Sequence, residues 1–260
     1  MDSDQLTLTY IGGPTALIEF GGVRLLTDPT FDPAPADYPS GAAILHKLIG
    51  PALTSGQVGH VDYALLSHDH HHDNLDHKGR EFLSRAGKVF TTNDGAQRLR
   101  GSSVGLKAWE SAEVQTPAGS TLKVVATPAR HGPANMDRGP VNGFVFFFTD
   151  APERAIYFSG DTVWFDGVAE VAQRFPIRLA VLNLGAARVA EVGPFHLTMT
   201  SEEGVQAART FKNAAIVPLH FEGWAHFSEG RDKIAEAFAT AKLESRLHWP
   251  QAGRAVKIPL

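Results

Sequence analysis

A short apolar run, Val61-Asp62-Tyr63-Ala64-Leu65-Leu66, passes without a spacer into Ser67-His68-Asp69-His70-His71-His72-Asp73-Asn74-Leu75-Asp76. This second stretch packs four histidines and three carboxylates into ten residues. Imidazoles held this close repel one another as they protonate, unless another cation replaces the protons. Neutral imidazole nitrogen and carboxylate oxygen are the donors that suit zinc, iron or manganese. The pattern therefore demands a fold in which a buried strand ends at a metal-binding loop, with a rigid scaffold carrying the chemistry. A solvated His-rich turn or a tag-like tract has the same composition, but tags sit at termini and this run lies between a strand-like and a helix-like segment. The chain contains no cysteine, so any metal must be held by His, Asp or Glu.

At 260 residues with 43% hydrophobic content, the chain is long enough to bury one sizeable core, and residues 1–260 read as a single domain. A formal charge of −4 provides no basic stripe, so no nucleic acid is expected as a partner. The N-terminus, Met1-Asp2-Ser3-Asp4-Gln5, lacks the basic-then-apolar pattern of a secretory signal, which implies a cytoplasmic location. No transmembrane segment is expected, because the most apolar stretch, Phe144-Val145-Phe146-Phe147-Phe148, has only the length of a buried strand. Oligomeric state is left open by these features.

Along the chain, Leu6 to Ile11, Thr15 to Phe20 and Val23 to Thr27 read as three strands joined by glycine turns. Residues 29–60 are rich in Pro, Gly and Ala and read as a long lid or binding loop. Helices are predicted over Lys78 to Ala86, Asp94 to Arg100, Gly167 to Phe175, Ser201 to Phe211 and Asp232 to Ala241. Thr200 with Glu203 is a capping-box signature for the fourth of these. Strands are predicted over Lys88 to Thr92, Val104 to Trp109, Leu122 to Thr127, Gly143 to Thr149, Arg154 to Ser159, Leu179 to Leu184 and Ala214 to Pro218. Two sheets with helices outside is the simplest architecture.

Three further polar residues follow predicted strands. They are His131 in Thr127-Pro128-Ala129-Arg130-His131-Gly132-Pro133, Asp161 in Ser159-Gly160-Asp161-Thr162, and His220 in Pro218-Leu219-His220-Phe221. Each alone is as readily a turn former. Together with His68 and His70 they make an ordered His-x-His, His, Asp, His series.

On these residues the chain resembles the metallo-β-lactamase-fold hydrolases. It is most similar to the branch of the ascorbate-6-phosphate lactonase and the N-acyl phosphatidylethanolamine phospholipase D. The likeness extends from Tyr10-Ile11-Gly12-Gly13 and Leu25-Leu26-Thr27-Asp28-Pro29 through Leu66-Ser67-His68-Asp69-His70 to Pro218-Leu219-His220-Phe221. The resemblance implies an α+β fold, a four-layer αββα sandwich of two mixed sheets with outer helices, and a dinuclear site at one sheet edge. It implies that His68, His70 and His131 bind the first metal, that Asp161 bridges, and that His220 binds the second. The family places Asp and then His two and three residues after the second His. Here those positions are His72 and Asp73, followed by Asn74, so either the two ligand types are swapped or one residue is inserted. His72 and Asp73 are thus both candidates for the second metal.

The expected cofactors are two divalent ions, with zinc first and manganese or iron as alternatives. Metal-bound hydroxide is the expected nucleophile, acting on a small-molecule ester, lactone or phosphodiester, with Asp161 and Asp73 as the catalytic carboxylates and no Ser or Cys required. Asp28, His196, Glu222 and His226 are candidates for the surrounding shell or for substrate contact, and His71 is expected to point away. Substrate selection is expected from residues 29–60, 133–142 and 222–230. A dioxygenase-like oxidoreductase and a non-catalytic metal-binding module are the competing readings.

Overall fold

The structure is a computed structural model that describes residues 5–116 and 119–260. Strands β1 (Gln5–Gly12), β2 (Thr15–Phe20) and β3 (Val23–Thr27) form an antiparallel meander. The segment expected to be a loop instead folds into a hairpin of β4 (Ala36–Ser40) and β5 (Ala43–Lys47), followed by one helical turn, α1 (Ser55–Val58). Burial along β5 alternates, with Ala43, Leu45 and Lys47 inward and Ile44 and His46 outward, the period of a half-buried strand.

The chain continues through β6 (Tyr63–Leu65), α2 (His77–Leu83), β7 (Lys88–Thr91), α3 (Asn93–Leu99) and β8 (Ser103–Gly105). It then forms β9 (Ser111–Gln115), β10 (Thr121–Pro128), β11 (Asn142–Phe148) and β12 (Ala155–Phe158). The last part is α4 (Asp166–Arg174), β13 (Ile177–Asn183), α5 (Ser201–Thr210), β14 (Ala215–Leu219), α6 (Arg231–Thr240) and β15 (Ala255–Pro259). The single strand predicted over 104–109 ends early, at Gly105, and the chain turns through Trp109 at φ 70° before β9 begins. Thr200 and Glu203 form the reciprocal capping box that starts α5.

Two mixed sheets result. One has the order β15-β1-β2-β3-β6-β7-β8, and the other β14-β13-β12-β11-β10-β9. Between them lies the central core, in which Leu6, Leu8 and Ile18 of the first sheet meet Phe144, Phe146 and Phe158 of the second. The opposite face of the second sheet carries Val145 and Phe147 against Val168 and Val171 of α4 and Ile234 and Phe238 of α6. The outer face of the first sheet packs Leu26, Ala64 and Val89 against Phe82 and Leu83 of α2. This is the four-layer αββα arrangement. The apolar run at 144–148 needs no polar alternation because both faces of β11 are covered. Among the described residues no helix is long and apolar enough to cross a membrane.

Topology brings the polar strand ends together. β3 and β6 are parallel, as are β12, β13 and β14. β10 runs the same way as β12, since each is antiparallel to β11. The residues that follow these strands, Asp28, Ser67, His131, Asp161 and His220, therefore emerge at one edge of the sandwich. Gly160 permits the closest approach there. Its φ is +57°, and a Cβ would lie 2.5 Å from Asn142 O and 2.7 Å from Ser67 Cβ. Gly160→Ala is accordingly expected to lower the stability of the metal-free protein by about 1–3 kcal/mol, measured by chemical denaturation. A wild-type midpoint in that variant would contradict the packing described.

Candidate metal centre

His68 leaves the end of β6 and is completely buried. Its Nδ1 lies 2.9 Å from Ser67 Oγ, and that hydroxyl donates to Asp28 Oδ2 at 2.7 Å. The serine has one proton and gives it to the carboxylate, so His68 Nδ1 must be the donor to Ser67. Its Nε2 then carries a lone pair, 3.0 Å from His71 Nδ1. His131 has its Nδ1 3.0 Å from the carbonyl of Leu197, and His70 has its Nε2 2.8 Å from the carbonyl of Arg138. A carbonyl only accepts, so His131 keeps a free lone pair on Nε2 and His70 keeps one on Nδ1. Three imidazoles are thus held by outer hydrogen bonds in the tautomer that a cation requires.

Two carboxylates complete the edge. Asp161 accepts from Asn183 Nδ2 at 2.8 Å through Oδ1, while its Oδ2 lies 3.5 Å from His220 Nε2 and 4.0 Å from His131 Nε2. Asp73 Oδ2 lies 3.5 Å from His220 Nε2 and 3.1 Å from His226 Nε2. Donor atoms gather in three overlapping groups: His68, His70 and His71; His68, His131 and Asp161; and Asp73, Asp161 and His220. Asp161 belongs to two of these groups, which makes them adjacent.

Charge and burial pull in opposite directions. Burial, reinforced by His71 and His70, holds the His68 imidazole well below its usual range. Burial and then His131 push His71 down to about 3. Burial would also depress His220, but the carboxylates of Asp161 and Asp73 raise it to about 10. Burial would raise Asp161 and Asp73, yet the surrounding histidines hold both well below the usual carboxylate range. Asp28 is raised to about 7, chiefly by burial, against the hydrogen bonds from Asn74 and Ser67. The neutral imidazoles of His68 and His71 and the ionised carboxylates are donors without proton competition, whereas His220 must give up its proton to a cation. Asp161 Oδ2 and both ring nitrogens of His220 are buried with no hydrogen-bond partner, a costly state that a bound cation relieves. The donor set therefore fits divalent cations.

The predicted residues are not all brought to this edge. His68, His70, His131, Asp161, Asp73 and His220 converge there, and His226 adjoins Asp73. His72 and His71 are placed opposite to expectation. The His72 ring stacks on Tyr38 with centroids 5.0 Å apart and lies beside His77, whereas His71 sits among His68, His70 and His131. The chain turns at His71, whose carbonyl accepts from Leu75 N at 3.0 Å, and this rotates the side chains by one position. Asn74 is turned to Asp28, donating to Oδ2 at 3.0 Å. Asp28 reaches His68 only through Ser67, Glu222 accepts from Tyr10 Oη at 3.0 Å, and His196 pairs with Glu203 at 3.2 Å on α5. Of the other carboxylates in the His-rich run, Asp69 pairs with Arg98, and Asp76 caps α2 while holding Lys47 at 2.8 Å. Asn183, unforeseen, is a polar residue ending a strand whose other buried positions are apolar, and that was its only sequence signal.

Fold and donor set define a protein of the metallo-β-lactamase fold with a candidate metal centre at one sheet edge. The chain belongs to the beta-lactamase superfamily domain family, whose pattern matches residues 23–221. A relative named UPF0173 metal-dependent hydrolase, from Natranaerobius thermophilus, is 28% identical over 84% of this chain and 85% of its own. Among solved structures, an isothiocyanate hydrolase from Delia radicum gut bacteria superposes with a TM-score of 0.82 at 24% identity, covering 98% of this chain and 100% of that one. A possible metal-dependent hydrolase from Veillonella parvula gives 0.82 at 18% identity, covering 98% and 99%.

The charge balance has a measurable consequence. The folded pKa of His220 lies above its ordinary 6.5, so its proton contributes stability in full below that value and the contribution is lost as pH rises towards about 10. Metal-free protein should lose thermal stability across this interval. His220→Gln, followed by calorimetry at a series of pH values, should flatten the slope. An unchanged slope in that variant would assign the pH dependence to another group.

Proposed function

We propose that this protein is a dinuclear hydrolase of small esters, lactones or phosphodiesters. The observation that carries the reading is Asp161, which belongs to two adjacent buried donor groups with one carboxylate oxygen unpartnered. In this reading His68, His70 and His131 hold the first cation, Asp73 and His220 the second, and Asp161 both. Zinc suits the imidazole-rich group, and manganese or iron suits the carboxylate-rich one. Such a pair of cations would lower the pKa of a water towards about 7 and polarise a substrate oxygen.

The protein's own residues orient the donors. Ser67, Leu197 O, Arg138 O and Asn183 fix the direction of His68, His131, His70 and Asp161. Beside them is a pocket of about 30 Å³, room for one or two waters, lined by polar His71, Asp73 and His131 and by apolar Leu45, Val189 and Leu197. A water placed there meets His131 of one donor group and Asp73 of the other, while the apolar residues limit further solvent. No Ser or Cys serves as nucleophile. Ser67 has its hydroxyl committed to Asp28 and His68.

The resemblance to the lactonase and phospholipase D branch supports ester and phosphodiester substrates. The isothiocyanate hydrolase that shares the fold adds a third compact electrophile to test. A cytoplasmic setting is part of the same reading. An oxidoreductase is the second reading, because imidazole and carboxylate donors also suit iron.

The test is a screen of metal-loaded protein over esters, lactones, phosphodiesters and isothiocyanates, followed by kcat/KM of two variants on any substrate found. Asp161→Ala is expected to lose about a thousandfold or more, and Ser67→Ala much less. Near-normal turnover in Asp161→Ala at matched metal content would sink the reading. Oxygen consumption without hydrolysis would favour the second one.

A further inference from the structure

Two cavities adjoin at the metal edge, and Arg138 is the charged residue that borders both. The inner one is the pocket of about 30 Å³ beside His71, Asp73 and His131, and the outer one has about 400 Å³. Ser40 and Val192 also line both, so the inner pocket opens towards the outer. The outer volume is that of an ordinary small-molecule site, whereas the inner one holds only a water or two, so the body of any substrate belongs in the outer cavity. Arg138 is half-buried, yet its side chain makes no hydrogen bond or ion pair among the described residues. Arg80 and Arg98, by contrast, are both engaged by Asp69. Asp137 and Glu191 border the outer cavity only; both are exposed, and neither pairs with Arg138.

The backbone of Arg138 is pinned to the donors. Its N–H donates to His131 O at 3.0 Å, and its carbonyl accepts from His70 Nε2 at 2.8 Å. The turn around it is shaped by Asp137 Oδ1, which accepts from Gly139 N at 3.0 Å, and Gly139 has φ +104° with room for a Cβ only 3.2 Å from His70 Nε2. Arg138 is thus held at a fixed offset from the metal edge, as a residue that orients a substrate must be. A guanidinium carries five N–H donors in a planar fork that matches the oxygens of a carboxylate or a phosphate. Here that fork has no partner within the protein, and the residue that bears it stands between the donor edge and the one adjoining space large enough for a ligand.

We propose that Arg138 selects substrates that carry an oxyanion, a carboxylate or phosphate, a few bonds away from the bond to be broken. This rests on the hydrolytic reading above and narrows its substrate class. The reacting group lies at the inner pocket, and the anionic end lies in the outer cavity against Arg138. Neutral esters and isothiocyanates, which lack such an end, are then the weaker members of the substrate screen.

Equilibrium binding to the full-length, zinc-loaded protein tests this with two probes that are not esters. N-phenylsuccinamate carries the carboxylate, and N-phenylsuccinamide is its neutral counterpart of the same shape. Calorimetric titration of wild type is expected to show the anion bound at least about tenfold more tightly than the amide. At matched zinc content, Arg138→Ala and Arg138→Gln should bring the two affinities to within about twofold, and Arg138→Lys should retain part of the difference because it keeps the charge without the fork. If one neutral variant does not accumulate, the other decides. Equal affinities in wild type, including no binding of either probe, would overturn the proposal. So would a preference undiminished in the neutral variants, which would assign the anion to the metal centre itself. Cleavage of mono-4-nitrophenyl succinate by wild type is measured alongside. No cleavage with the binding preference intact would sink the hydrolytic reading and leave the anion subsite standing.

Discussion

Three carboxylates, Asp28, Asp73 and Asp161, are buried at one edge of this sandwich, and every ion-pair partner of Asp73 and Asp161 among the described residues is a histidine. Buried charge without compensation is among the costliest states a fold can hold, and a neutral imidazole does not neutralise it. In the metal-free protein the proton on His220 offsets part of the charge, which is why that imidazole is held up to about 10 while its neighbours His68 and His71 are held down. The rest of the edge is arranged around the same need. Donor lone pairs face inward, and donor protons are directed outward to carbonyls and hydroxyls. The site is built to be completed by positive charge.

The two sheets supply the precision. His68, His131, Asp161 and His220 lie just beyond strand ends, so their backbone inherits the rigidity of a buried ladder, and several donors are steered by one bond from another part of the chain. Leu197 O steers His131, Arg138 O steers His70, and Asn183 on β13 steers Asp161. The loops at 133–142 and 185–199 thus orient donors as well as bordering the pocket, which ties the direction of His70 and His131 to the conformation of the pocket wall. Gly160 lets two donor-bearing turns meet face to face.

Much of this was legible in the sequence. Polar residues just beyond apolar strand runs marked His68, His131, Asp161 and His220 as candidates, and the family resemblance grouped them; the same sense of the strands that precede them is what brings them to one edge. What could not be read was side-chain direction within turns. The exchange of His71 and His72 goes with a local turn in which the His71 carbonyl accepts from Leu75 N, and the residue pattern does not record it. Glu222 and His226 share one loop, yet one turns to Tyr10 and the other to Asp73. That choice is made by contacts with β5 and residues 185–188, which no local pattern records. The β4–β5 hairpin was hidden by Pro39 within its first strand, although Gly41 at φ 62° is the turn residue such a hairpin needs.

The central claim is that cations complete this edge at two adjacent positions. Anomalous diffraction from zinc-soaked crystals, recorded on both sides of the zinc absorption edge, tests it directly. The account predicts two peaks. One should lie about 2.0–2.2 Å from imidazole nitrogens of His68, His70 and His131, and the other at the same range from Asp73 and His220, with Asp161 in reach of both. Peaks only at other histidines of the chain, or none at this edge at saturating zinc, would contradict it.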